Sequence, residues 1–155
     1  MADIVSPSKR SRMMSGIRNK HTRPELIIRK GLHALGFRYR LHSSSLPGKP
    51  DLVLPKHKAV ILVNGCFWHG HNCALFKWPT SRAEFWRNKI TGNRERDLEN
   101  QRKLREAGWR VLIIWECALK GRDRRNTDEV LEMAKNWLFS EAGESELKGE
   151  NSGAC

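Results

Sequence analysis

No apolar run in this chain approaches the ~20 residues that a bilayer-spanning helix needs, and the polar stretch over residues 1–20 lacks the apolar core of a secretion signal. The expected location is the cytoplasm, without a membrane partner. There the four cysteines serve as metal ligands or free thiols rather than as disulfides. Acidic residues are scarce too: 17 Asp and Glu face 29 Lys and Arg, a net +12. A pI near 10.1 exceeds anything solubility alone requires and implies a polyanionic partner. Internal repeats are absent, and 155 residues suffice for one compact domain but not comfortably for two.

What is present is unevenly placed. From Gly143 onward Glu144, Glu146 and Glu150 stand against Lys148, a balance of −2 that leaves +14 on residues 1–142. The cationic surface therefore belongs to the folded part. Residues 1–21 are basic and lack apolar periodicity, which predicts an arm that orders on a partner. Residues 22–142 make the domain, and residues 143–155 are expected to be a disordered acidic tail.

Within the domain, Thr22-Arg-Pro-Glu25 forms a capping box ahead of Ile28, Leu32 and Leu35, and Gly36 ends the first helix. Phe37 to Leu41 can form a strand, and residues 43–50 a turn-rich loop. Asp51-Leu-Val-Leu54 and Ala59-Val-Ile-Leu-Val63 predict two strands around a short turn. Ser81 and Glu84 suggest a second capping box opening a charged helix to about Ala107, with a break near Thr91-Gly92. Trp109 to Trp115 is an apolar run suited to a strand covered on both faces, and Asn126 to Phe139 a last helix. The order α, β, β, β, α, β, α predicts an α/β fold with a mixed central sheet flanked by helices.

The densest chemistry lies in Cys66-Phe67-Trp68-His69-Gly70-His71-Asn72-Cys73. With Cys117, which follows the Trp109–Trp115 strand, these residues can supply a Cys3His set, the donor combination of a closed structural zinc site. His69 is a fifth candidate, and spacing alone does not choose among the five. Buried free cysteines and surface histidines are the bland alternative. Asp51 at a strand start can hold a magnesium ion, which takes one or two carboxylates, waters and phosphate oxygens. An ordinary Pro-Asp turn explains it equally, and the capping box explains Glu25.

Adjacent aromatics recur at Phe67-Trp68 and Phe85-Trp86, the second pair on the helix bearing Arg87, Lys89, Arg94 and Arg96. One ring of each pair is expected in the core, and the other is free to stack on bases or wedge between them. Trp109, Trp115 and Trp137 fit core positions.

Ser45-Leu-Pro-Gly-Lys-Pro-Asp51, Gly65-Cys-Phe-Trp-His69, Phe85-Trp-x-x-Lys-Ile-x-x-Asn93, Arg96-Asp97, Gly108-Trp-Arg-Val and Trp115-Glu-Cys117 together resemble the very-short-patch-repair DNA mismatch endonucleases, in the family's order and spacing over about residues 10–139. The resemblance implies a restriction-endonuclease-like fold and a nick 5′ to the thymine of a T:G mismatch left when 5-methylcytosine deaminates. The context would be CT(A/T)GG, the site of a partner cytosine-5 methyltransferase. DNA polymerase I and ligase would finish the repair, and the enzyme would act on duplex DNA as a monomer.

Carried over by position, Asp51 and the main-chain carbonyl of Val63 would hold magnesium. His69 would be the general base, a role suited to an imidazole, and Glu25 would orient a water at the magnesium. Cys66, His71, Cys73 and Cys117 would bind zinc, leaving His69 free. Phe67, Trp68 and Trp86 would enter the base stack from the major groove and Met14 from the minor groove. Lys89 and Asn93 would read the mispair. One position departs from well-studied members: where they have His, this chain has Asn64, which cannot exchange a proton at neutral pH. Two further readings compete: a non-catalytic, zinc-stapled mismatch-sensing DNA-binding protein, and a zinc hydrolase using His69, His71 and Asp51.

Overall fold

The computed structural model describes residues 22–150; the expected basic arm with Met14, and Cys155, lie outside them. Helix α1 (Arg23–Ala34) starts at Thr22, whose hydroxyl accepts the Glu25 N–H at 3.4 Å. Strand β1 is only Arg40–Leu41, followed by β2 (Leu52–Leu54) and β3 (Ala59–Asn64). Between β2 and β3 a single 3-10 turn over Pro55–His57 closes with Lys58 in the left-handed region. Helix α2 (Ala83–Glu106), strand β4 (Arg110–Trp115), helix α3 (Thr127–Phe139) and strand β5 (Glu144–Leu147) complete the order.

The sheet runs β1-β2-β3-β4-β5. Its first two pairings are antiparallel and the next two parallel, because β3 to β4 and β4 to β5 are joined by helices, as parallel neighbours require. Strand alternation sorts the core into two layers. Leu52, Leu54, Ala59, Ile61, Val63, Leu112 and Ile114 face Ile28 and Leu32 of α1 and Val130, Ala134, Trp137 and Leu138 of α3. Val53, Val60, Val111, Ile113 and Trp115 face Leu104 of α2 together with Cys66 and Cys117. Each fully buried aliphatic side chain contributes about 1.5–3 kcal/mol, so both sheet faces are committed. That fits the near-continuous apolar runs of β3 and β4.

Three expectations change. The second capping box does not form: Arg82 is the N-cap, in the left-handed region with no side-chain cap bond. Helix α2 runs unbroken through Thr91 and Gly92, with only Ile90 and Leu104 buried, so most of its length is a solvated charged face. The segment from Gly143 is not simply a tail either. Residues 144–147 pair with β4, Leu147 enters the core, and the Glu146 carboxylate accepts from Trp115 Nε1 at 2.9 Å. Among the described residues, no helix is long and apolar enough to cross a membrane.

Candidate active site and metal centre

Register brings the first group of functional side chains together. Leu41 pairs with Leu52, so His42 falls opposite Asp51, and its N–H donates to the Asp51 carbonyl at 3.1 Å. Asp51 Oδ2 accepts the Val63 N–H at 2.7 Å, which ties the aspartate to the end of β3. From α1, the Glu25 carboxylate reaches His42 Nε2 at 2.9 and 3.0 Å and Arg29 Nη1 at 3.0 Å. Glu25 is therefore no reciprocal capping residue; its side chain is 1% exposed and turned inward.

Glu25, His42 and Asp51 each offer a ligand atom, all within 4.8 Å of one another. Burial pushes the Asp51 carboxyl up to about 7, the Val63 N–H opposes the rise, and the neighbouring Glu25 charge adds to it. Arg29 offsets the charge of Glu25 from one side, and on the other the oxygen and nitrogen donors that converge from Glu25, Asp51 and His42 fit a divalent cation. His42 escaped the sequence reading because only the β1–β2 register reveals it.

The second group is Cys66, His71, Cys73 and Cys117, whose ligand atoms also lie within 4.8 Å of one another. His71 Nδ1 is 3.6 Å from both Cys66 Sγ and Cys117 Sγ. Tetrahedral zinc, with bonds of about 2.3 Å to sulfur and 2.0–2.1 Å to nitrogen, places such donors about 3.5–3.6 Å apart. The set fits a closed four-ligand metal site. The Cys117 thiol beside it, and then burial, push the Cys66 thiol well above its ordinary range, and burial raises Cys73. Thiols so arranged ionise together only when a cation pairs with them.

Backbone amides supply the outer shell: Cys117 N–H and Gly149 N–H donate to Cys66 Sγ and Cys117 Sγ, each at 3.3 Å. The His71 ring stacks on Trp115 with centroids 4.1 Å apart. The hydrolase reading does not survive, since His71 lies with the cysteines and Asp51 with Glu25, and His69 is in neither group.

His69 instead meets helix α2, where the Asp97 carboxylate accepts from its Nδ1 in a short contact. That bond fixes the ring and leaves Nε2 as the basic nitrogen. Asp97 belongs to a quoted motif, but nothing in the sequence assigned it this partner. The loop between Cys66 and His71 needs Gly70, whose φ is +61 and where a Cβ would come within 2.7 Å of Ile90.

The expectation of one core ring per aromatic pair is corrected. Phe67, Trp68 and Trp86 are all half-buried, and Phe85 is 44% exposed. Phe67, Trp68 and Trp86 form one cluster with centroids 5.3–5.7 Å apart. Neighbouring Lys89 is exposed, while the Asn93 amide donates to the Trp68 carbonyl at 2.9 Å and accepts from Arg96. Trp115 and Trp137 are buried as expected, whereas Trp109 is partly exposed under Lys58 Nζ, 4.2 Å from the ring centroid. Asn64 is buried at the end of β3, paired with Trp115.

A carboxylate-fixed imidazole and a buried acidic pair on a strongly basic chain suit an enzyme that acts on a polyanion. The family model of DNA mismatch endonuclease Vsr matches residues 2–75. Over 147 residues, 95% of this chain and 94% of the relative, the sequence is 41% identical to the DNA mismatch endonuclease Vsr of Escherichia coli. It is 46% identical over 119 residues to a type II nicking enzyme of Xanthomonas oryzae pv. oryzae, covering 77% of this chain and 88% of that one. A type II nicking enzyme of Neisseria meningitidis is 47% identical over 122 residues, 79% of this chain and 87% of its own. The chain belongs to the Vsr family of DNA mismatch endonucleases. It is a DNA endonuclease, and its mixed sheet is of the restriction-endonuclease-like kind.

Proposed function

We propose that this endonuclease nicks one strand of duplex DNA 5′ to the thymine of a T:G mismatch, in the CT(A/T)GG context of a cytosine-5 DNA methyltransferase. This opens very short patch repair, which DNA polymerase I and ligase complete. The enzyme works as a monomer in the bacterial cytoplasm. Family membership carries the reading, and the pairing of Glu25 with Asp51 gives it a chemical basis.

Asp51 and the Val63 carbonyl hold magnesium, which when bound would neutralise charge developing on the phosphate. Glu25 would orient a water at the magnesium. A water attacks phosphorus, its proton passes to His69 Nε2, and the bond from phosphorus to the sugar oxygen breaks, that oxygen taking a proton from solvent to leave as a hydroxyl. Asp97 keeps the His69 ring in the tautomer that accepts this proton. Asn64 adds no second imidazole.

Cys66, His71, Cys73 and Cys117 hold structural zinc. Phe67, Trp68 and Trp86 enter the stack from the major groove and Met14 from the minor groove, while Lys89 and Asn93 read the mispair. The Asn93 amide already grips the Trp68 carbonyl, so reading and wedging are mechanically joined. A nicking assay on end-labelled duplexes carrying T:G, T:A or C:G at one position tests the proposal. Magnesium-dependent cleavage of the T:G duplex alone, 5′ to the thymine, is expected; equal cleavage of all three would overturn it.

A further inference from the structure

We propose that His42 Nε2 is a direct ligand of the cation held by Asp51 and the Val63 carbonyl, with Glu25 facing it through water, so that this carboxylate–imidazole seat takes manganese(II) more readily than oxygen donors alone would. The inference rests on the reading of Asp51 as the cation-holding residue and extends it to a side chain that the β1–β2 register delivers. His42 Nε2 lies 2.9 and 3.0 Å from the Glu25 carboxylate oxygens and 3.9 Å from Asp51 Oδ1. All three donors are largely shielded, with side-chain exposures of 16% for His42, 1% for Glu25 and 10% for Asp51.

The backbone supports a dedicated placement. His42 has φ +46, a left-handed conformation that costs a non-glycine residue energy, although His tolerates it better than most. Its N–H remains bonded to the Asp51 carbonyl, so the chain turns sharply while still paired, and the imidazole is delivered to the carboxylates. Magnesium favours all-oxygen surroundings, whereas imidazole suits first-row transition ions. Manganese accepts both donor types. An imidazole in the seat therefore shifts preference toward manganese without excluding magnesium.

The test uses the full-length protein without DNA, loaded with zinc and then chelator-washed to leave only the cysteine-bound ion, titrated separately with manganese(II) and magnesium. Free manganese is read by electron paramagnetic resonance, magnesium by calorimetry, and direct nitrogen ligation by spin-echo modulation of bound manganese. His42→Asn is the informative variant, because Asn tolerates the left-handed backbone but is too short to reach the ion; unchanged melting confirms the fold. Removing the ligand should weaken manganese binding roughly tenfold or more, abolish the nitrogen modulation and change magnesium affinity much less. Absence of nitrogen modulation in the parent, or equal losses for both ions, would overturn the proposal. Asp51→Asn separates the two readings. If it abolishes manganese binding while His42→Asn does not weaken it, only the His42 assignment fails. If neither ion binds the parent, the cation site itself fails.

Discussion

The backbone amide of Gly149 donates to the sulfur of Cys117 at 3.3 Å, so the stretch beyond β5 closes over the cysteine cluster. The approach is tight, because a Cβ at position 149 would lie 2.8 Å from the carbonyl oxygens of both Cys117 and Asp123. Cys66 and Cys117 lie 51 residues apart in sequence, at the ends of the adjacent parallel strands β3 and β4. A metal bound there would join elements that the chain connects only through α2.

Stability should therefore track this cluster. Cys117→Ser is expected to lower zinc content and the melting temperature together, since a structural metal contributes folding free energy; Cys155→Ser should change neither. Gly149→Ala, which overpacks a backbone contact, should cost ~1–3 kcal/mol and lower Tm by several degrees. Zinc analysis by mass spectrometry beside calorimetric melting checks both. An unchanged zinc content in the Cys117 variant would remove that residue from the ligand set.

For the chemistry, Asp51→Ala should abolish magnesium-dependent nicking while DNA binding persists. Losing a general base typically costs ~10²–10⁴-fold, the range expected for His69→Ala under single-turnover conditions. Asp97→Asn should also slow the reaction substantially, since an amide can hold the ring in the wrong tautomer. Nicking by Asp51→Ala at the parent's rate would move the active site elsewhere.

Trp68 separates a wedge from a core role. Being half-buried, it should lose less on truncation than the ~3–5 kcal/mol of a fully buried Trp. Trp68→Ala should weaken nicking of T:G duplexes far more than it lowers the melting temperature. A 2-aminopurine placed next to the mismatch reports unstacking. A large drop in Tm with that signal unchanged would place Trp68 in the core and leave Phe67 and Trp86 as the wedge.

Acidity supplies a further test. The Asp51 carboxyl rises from an ordinary 3.8 to about 7 on folding, chiefly through burial. The folded chain therefore binds the proton more tightly than the unfolded one. This contribution to stability is fully present below pH 3.8 and is lost as pH rises through about 7, up to ~4 kcal/mol as an upper bound. Without magnesium, the parent's melting temperature should fall relative to Asp51→Asn between pH 4 and about 7.5, and magnesium should narrow the gap. Parallel pH profiles for the two proteins would contradict the linkage.

Much of this architecture can be read from local pattern. Thr22 and Gly36 bracket α1 because capping is a short-range property, and the apolar runs of β3 and β4 announce a sheet covered on both faces. β5 left almost no trace: its sequence is Glu-Ser-Glu-Leu, and only Leu147 is buried. Parallel pairing to β4 decides that segment, and no local preference encodes it. His42 and Asp97 were missed for a related reason. One depends on which residue of β1 lies opposite Asp51, the other on which turn of a 24-residue helix faces the loop. The donor types of the Cys/His cluster were legible, but separating His69 from the ligands took either the family resemblance or the geometry.

Gly65 to Cys73 also determines how this protein would fail. Phe67, Trp68 and His69 all lie between Cys66 and His71, two members of the cysteine–histidine cluster. On the roles proposed for them, the mismatch wedge and the proton acceptor share a single anchor. Oxidation of the thiols or metal starvation would then displace both at once. A nuclease that loses wedge and base together falls silent.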